Sequence, residues 1–286
     1  LQNFMTGDYF KIIRGGLSST FQDLGRKNLY HIGLPFSGVM DKRNYLIANK
    51  LVNNNKNDAV IEFAFQGPAL KYFGEKRNIV VTGNVNFQIL KNDNSRHDVE
   101  CYKTIKVENG DTIDILSTIN SVYGYFSVNG GFKIDKVWDS FSTTIRAKVG
   151  PNNGCKLIDG QEIELNNSEM SPNRKLNFIN TKIEFIRVIK GTNYDYFSEQ
   201  SIKNFFSKKF KVTKLTDRMG MRLNGSKLNN IKDTNIKSEG LVKGTIQVPA
   251  DGQPIILLSD HGTIGGYPKI GMTISADYDK LVQTPP

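Results

Sequence analysis

The chain has 286 residues, of which 38% are hydrophobic and 23% charged, with 17 Phe and 11 Tyr, so it can bury a sizeable core and wholesale disorder is excluded. No apolar run approaches the ~18–20 residues that span a bilayer. No charged-then-apolar leader opens the first twenty residues, so a cytoplasmic chain of two domains or one large one is expected, with no membrane partner. The net charge of +10 is mostly lysine spread along the chain, and no nucleic-acid partner is expected.

In chain order, the first regular element is a helix over residues 41–52, capped by Asp41, with Tyr45, Ala48, Leu51 and Val52 on one face. Strands follow at residues 80–82 and 85–89, on either side of Gly83-Asn84, and at 123–128, stopped by Asn129-Gly130-Gly131. Residues 166–177 are polar, carry Pro172 and lack periodicity, which places a domain connection or long loop there. A β-branched run over 182–189 reads as a strand. A second helix over 198–208 starts at Ser198, with Ile202, Phe205 and Phe206 as its apolar stripe. The lysines of residues 203–214 then lie on the wet face of that helix and of a following strand. Two late strands, 245–248 and 254–258, are joined by the turn residues Pro249-Ala250-Asp251-Gly252. Short strands punctuated by Gly, Asn and Asp predict a mainly β fold with a few helices, in barrels or sandwiches.

Cys101 and Cys155 belong to no CxxC pattern, and two reduced, buried thiols are expected. The three histidines, His31, His97 and His261, form no HExxH, so no metal-ligand set is expected. Residues 220–227 approach a phosphate-binding loop, but Ser226 and Lys227 stand in the wrong order and no buried apolar strand precedes them. No GxGxxG is present.

Two polar blocks stand out. Residues 259–268 hold Asp260, His261, Thr263 and Tyr267 among three glycines, directly after an apolar strand. Glycines let backbone approach a ligand and aim N–H groups at an anion, and an imidazole can move protons near neutral pH. The block reads equally as a ligand loop or as a long Gly-rich hairpin. Residues 216–223 set Asp217 beside Arg218 and Arg222. An arginine there can clamp a carboxylate or phosphate, although an Asp–Arg pair that fixes a turn is the preferred reading. Ser37, in the Pro35-Phe36-Ser37-Gly38 turn, fits no nucleophile elbow but can serve as a polar contact.

Taken together, these blocks resemble one family. Gly16-Leu17-Ser18-Ser19-Thr20-Phe21-Gln22-Asp23-Leu24-Gly25-Arg26 is similar to G-L-x-T-x-x-Q-D-x-G-R. Gly33-Leu34-Pro35-Phe36-Ser37-Gly38-Val39-Met40-Asp41 matches G-x-P-x-S-G-x-M-D, and Ala48-Asn49-Lys50-Leu51-Val52 fits A-N-x-L-V. Gly67-Pro68, Thr82-Gly83, Asp217-Arg218-Met219-Gly220-Met221-Arg222-Leu223, Ser238-Glu239-Gly240, residues 244–255 and Gly265-Gly266-Tyr267-Pro268 follow in order. The pattern is that of the 5-oxoprolinase C-type subunits, also called allophanate hydrolase subunit 2 or the KipA type, which correspond to one half of the carboxyltransferase domain of urea carboxylase. Phe141 stands where members usually have Arg in G-S-R-S-T. Gly262 and Ile264 stand where members often have Gln and Thr in D-x-Q-T-T-G-G-Y-P.

The resemblance implies two cyclophilin-like β-barrel lobes, set here at residues 10–165 and 166–286, forming together one carboxyltransferase-type subunit. It implies a B-type (KipI-like) partner subunit and, in the 5-oxoprolinase branch, an A-type (LamB/YcsF-like) subunit, in a complex that converts 5-oxoproline to glutamate with ATP. Carboxyl transfer from biotin to urea or a related amide is the alternative, as is KipA-type regulation of a kinase inhibitor. No A-M-K-M or V-M-K-M carrier motif is present, so no biotin is expected on this chain. Asp260, His261 and Arg218 are the expected catalytic residues. Ser37, Asp41, Asp217, Arg222, Thr263 and Tyr267 are the expected substrate-binding residues, and Ser37, Asp41, Arg218, Asp260, His261 and Tyr267 are expected to converge on one groove.

Overall fold

The computed structural model describes residues 7–177, 179 and 183–286. Contacts divide them into two compact units. The first takes the described residues up to Arg26 and from Asp41 to residue 179, and the second takes residues 27–40 and 183–286.

The first unit holds β1 (Tyr9–Arg14), β2 (Ser19–Gln22), α1 (Lys42–Leu51), β3 (Val60–Ala64), β4 (Ala69–Phe73), β5 (Arg77–Thr82), β6 (Val85–Leu90), β7 (Arg96–Val99), β8 (Ile105–Val107), β9 (Thr112–Thr118), β10 (Tyr123–Val128) and β11 (Glu162–Glu164). They form a six-stranded sheet in the order β11-β1-β4-β9-β6-β7 and a five-stranded sheet in the order β2-β3-β10-β5-β8, with antiparallel pairing. Among the described residues neither ladder closes into a barrel. The two sheets instead share a core: Phe10 and Ile12 of β1, Leu70 and Tyr72 of β4 and Ile113 and Ile115 of β9 cluster with Phe63 of β3, Val81 of β5 and Phe126 of β10. Phe10 and Phe126 meet edge to face at 5.4 Å. In β6 the buried residues are Val85, Phe87 and Ile89, the alternation a one-sided strand requires. β5 and β10 are buried along their whole length because α1 covers their second face. Two polar side chains in that layer are paired: Thr82 Oγ1 donates to the Asn44 carbonyl (2.9 Å) and Ser127 Oγ to Asn49 Oδ1 (3.0 Å).

The second unit holds β12 (Val188–Lys190), α2 (Glu199–Ser207), β13 (Lys211–Val212), β14 (Gly220–Asn224), β15 (Glu239–Gly240), β16 (Thr245–Gln247), β17 (Ile255–Leu257), β18 (Ile264–Gly265), β19 (Lys269–Thr273) and α3 (Ser275–Leu281). Its main sheet runs β12-β19-β16-β17-β14-β13, and β15 pairs with β18. Met221, Ile246, Ile256, Leu258 and Ile270 are buried.

The mainly β expectation holds, and both expected helices form where their caps lie. Asp41 Oδ1 accepts from Asn44 N (2.9 Å), and Ser198 Oγ accepts from Ser201 N. Residues 166–177 carry no strand beyond an isolated bridge at Lys175. Pro249 to Gly252 turns as expected, with Gly252 at φ +76°. Three points differ. The run over 182–189 yields a strand only from Val188, and Lys182 lies outside the described residues. α3 had no strong signal, being seven residues long with no side-chain cap. Both cysteines are free, but Cys155 is exposed.

Candidate functional site

Within the second unit, the β14–β17 ladder sets the site. Gly220 pairs with Leu257, and the bonding continues past the strand ends: Leu258 N donates to the Met219 carbonyl (3.0 Å) and Asp260 N to the Arg218 carbonyl (2.9 Å). Arg218 therefore stands opposite Asp260. Its Nε donates to Asp260 Oδ2 (2.8 Å) and its Nη2 to Oδ1 (3.1 Å), a fork on a carboxylate. Nη2 also donates to the Gly38 carbonyl (2.6 Å), and Ser259 Oγ donates to the Val39 carbonyl (3.3 Å). Ser37 is buried at φ +55° and Gly38 follows at φ +80°, so this turn holds two left-handed residues in succession. Arg218 and Ser259 pin its carbonyls to the loop that follows β17.

His261 is buried in the same loop. Its Nδ1 lies 2.7 Å from the Gly262 carbonyl and its Nε2 3.2 Å from the Tyr30 hydroxyl. Burial pushes the imidazole below its ordinary range. The Gly262 carbonyl opposes that, Lys243 adds to it, and Asp260 opposes it. Burial also raises the Tyr30 phenol. The Tyr30 ring packs on Phe36 at 5.0 Å and edge-on to His261 at 6.1 Å. Tyr30 was missed by sequence reasoning. It sits in a short turn ended by Gly33, and nothing local marks it.

The remaining expected residues are placed as follows. The Thr263 side chain is buried and its carbonyl accepts from Leu241 N (2.9 Å), while Tyr267 is exposed. Asp217 Oδ1 accepts from Met219 N (2.8 Å) and Gly220 N (3.1 Å), so it fixes its own turn. Arg222 is exposed on β14. Asp41 belongs to the first unit. It is fully buried as the cap of α1, and its Oδ2 accepts from Asn44 Nδ2 (2.6 Å). The structure thus groups Arg218, Asp260 and the Ser37–Gly38 turn, with His261 beside Asp260 in the chain, and it gives Asp217 and Arg222 other settings.

In the first unit, the Gln22-Asp23 and Arg26 block proves to be one network with residues 140–144, a link that sequence spacing does not reveal. Asp23 accepts from Ser140 Oγ (2.6 Å), Phe141 N (2.8 Å) and Gly25 N (2.8 Å). Gln22 accepts from Ser142 Oγ (2.6 Å) and donates to the Thr143 carbonyl (2.8 Å). Arg26, buried, donates to Thr144 Oγ1 (2.9 Å) and to the Ser142 carbonyl. Phe141, which the network fixes through its backbone N–H, lines an open cavity of about 640 Å³ together with Phe21 and Phe132.

Among the described residues, no group of three or more His, Cys, Asp or Glu is placed to hold a metal ion, and no helix is long and apolar enough to cross a membrane.

The carboxyltransferase domain, subdomain A and B, matches residues 32–286 as a family. The chain belongs to that family. Two curated chains are similar to this one over most of their length: the 5-oxoprolinase C-type subunit of Haemophilus influenzae is 31% identical over 266 residues, 93% of this chain and 84% of that one. Its Escherichia coli counterpart, also a 5-oxoprolinase C-type subunit, is 31% identical over 280 residues, 96% of this chain and 87% of that one. Among solved structures, the Kluyveromyces lactis urea carboxylase superposes with a TM-score of 0.88 at 25% identity. That match takes in 99% of this carboxyltransferase-domain chain and 27% of the yeast chain, so this chain spans about a quarter of the solved protein. The family resemblance in the sequence motifs is thereby borne out.

Proposed function

We propose that this chain is the C-type subunit of an ATP-dependent 5-oxoprolinase complex that converts 5-oxoproline to glutamate. The observation that carries the reading is the near full-length match to two 5-oxoprolinase C-type subunits, set against a match to only a quarter of urea carboxylase. A lactam carbonyl is a poor electrophile. Phosphorylating its oxygen, and stabilising the charge that develops, lowers the barrier to ring opening. ATP handling falls to the complex, because the near-motif at residues 220–227 begins as strand β14 rather than as a loop opening a helix.

In this reading the Arg218–Asp260 pair holds the Ser37–Gly38 turn against the 259–263 loop, and His261 of that loop and Tyr267 after β18 serve the substrate side. Asp41, Ser37, Asp217, Arg222 and Thr263 complete the proposed binding set. A B-type and an A-type subunit supply the rest of the active site, and no biotin is attached to this chain. The urea carboxylase likeness supports a second reading, carboxyl transfer to urea or a related amide with a biotinylated carrier.

Reconstitution with a B-type and an A-type subunit tests both. Glutamate release that depends on ATP and 5-oxoproline should need all three chains. Turnover by this chain alone would overturn the partner requirement. Urea carboxylation by the set, with a carrier and no glutamate, would replace the first reading by the second.

A further inference from the structure

The hydrogen-bond polarity of the Tyr30–His261 pair leads further, and the inference rests on the function proposed above. The Gly262 carbonyl, 2.7 Å from His261 Nδ1, can only accept, so Nδ1 carries a proton. In the neutral ring Nε2 is then a bare lone pair. The Tyr30 hydroxyl, 3.2 Å away, must donate to it. His261 has no remaining lone pair with which to take a proton from water. Tyr30, half-buried, keeps the lone pairs of its oxygen and has no proton left to offer.

We propose that Tyr30, oriented by His261, is a specificity-determining hydroxyl that accepts a hydrogen bond from a substrate N–H, so that the site selects planar amides of the lactam or urea class whose nitrogen bears hydrogen. His261 is a positioning residue in this scheme: it fixes which way the phenol O–H points.

The scheme contains its own pH dependence. When His261 is protonated, Nε2–H donates to the Tyr30 oxygen and the phenol O–H must turn outward as a donor. An N–H ligand then meets a donor instead of an acceptor. The groups that bear on this step are Asp260, whose carboxylate is tied to Arg218, the Lys243 ammonium, the Gly262 carbonyl and Tyr30 itself. Burial and Lys243 hold the step below the ordinary histidine range, so the accepting state prevails at neutral pH.

The test compares 5-oxoproline with its N-methyl analogue in the reconstituted complex. Tyr30→Phe should lower kcat/KM for 5-oxoproline roughly tenfold, the cost of one hydrogen bond, and leave the N-methyl analogue unchanged. His261→Gln places an amide oxygen near the Nε2 position. It should keep the preference for N–H and abolish the fall in kcat/KM at acid pH. Equal loss for both substrates in Tyr30→Phe, or loss of preference in a folded His261→Gln, overturns the proposal.

A second measurement needs no turnover. In the isolated chain, nitrogen-15 spectra should show the Nδ1–H tautomer of His261 at pH 7.5. The Tyr30 ring signals should shift with 2-pyrrolidinone more than with N-methyl-2-pyrrolidinone. An Nε2–H tautomer, or equal shifts, refutes the pair's role even if the complex proves to act on another substrate. A complex without 5-oxoproline turnover but with the expected spectra refutes only the function proposed above.

Discussion

Arg218 and Asp260 meet side-on, with Nε–Oδ2 at 2.8 Å and Nη2–Oδ1 at 3.1 Å, and their side chains are only 12% and 9% exposed. The same guanidinium reaches the Gly38 carbonyl, so one largely shielded cation ties two loops of the second unit together. A pair this dry is strong only while both partners are present, because either charge alone would be stranded away from water.

Arg218→Ala and Asp260→Ala should therefore each destabilise the chain by about 3 kcal/mol, the low end for breaking a buried ion pair. The double variant Arg218→Met with Asp260→Leu should recover most of that loss, since no charge is left unpaired. Arg218→Lys should behave more like the alanine variant, because an ammonium cannot fork onto the carboxylate and reach Gly38 together. Urea denaturation of the four variants measures this. Single losses below about 0.5 kcal/mol would show the pair to be solvated instead.

How much of this was legible in the sequence depended on how local the signal was. The α1 and α2 helices were legible because Asp41 and Ser198 cap them within three residues of their hydrogen-bond partners. Strand positions were legible from Gly, Asn and Asp punctuation, but strand partners were not. Gly83-Asn84 looks like a hairpin turn, yet β5 and β6 enter different sheets. The site was partly legible. Asp217 seemed the natural partner of Arg218, but Asp217 is used by its own turn while Asp260, 42 residues away, meets the arginine. Tyr30 and His261 are 231 residues apart, and no local pattern announces such a pair.

The glycines of the 259–268 loop should not be equivalent. A Cβ on Gly266 would lie 2.7 Å from the Ile236 carbonyl, whose own N–H donates to Gly266 O (2.8 Å). Backbone cannot yield as a flexible side chain can, so Gly266→Ala should cost about 1–3 kcal/mol. A Cβ on Gly262 would meet nothing closer than 3.5 Å. Gly262→Ala should be neutral within about 0.5 kcal/mol, and thermal melting of the two variants compares them directly. Equal losses would mean that the loop adopts another backbone path.

Asp277 supplies a prediction at acid pH. It accepts from Arg187 N (2.8 Å), Nε (2.9 Å) and Nη2 (2.6 Å), which ties the segment before β12 to α3. The Arg187 hydrogen bonds, side chain first and backbone second, pull its carboxyl down to about 2. An unfolded Asp titrates near ~3.9. The stabilisation is therefore complete above about pH 5 and is lost progressively as pH falls through about 2. Asp277→Asn should lower the melting temperature at pH 6, and the difference from the parent chain should shrink as pH falls through about 2 and vanish near about pH 1. A difference that does not change with pH would mean that charge plays no part in this contact.

The two thiols should react in sequence. Burial pushes the Cys101 thiol up to about 11, and its Sγ donates to the Val85 carbonyl (3.2 Å). At pH 8 only ~1 in 1,000 such groups is thiolate, and the thiolate is the reactive form. Cys155 is exposed, so reagent reaches it without opening the fold. An aromatic disulfide reagent should titrate one thiol per native chain within minutes, and the second only at the rate at which the first unit opens, or at once in denaturant. Cys155→Ser should abolish the fast phase and leave the slow one. Two fast thiols in the native chain would mean that Cys101, on the loop after β7, is not held against β6 as its bond to Val85 requires.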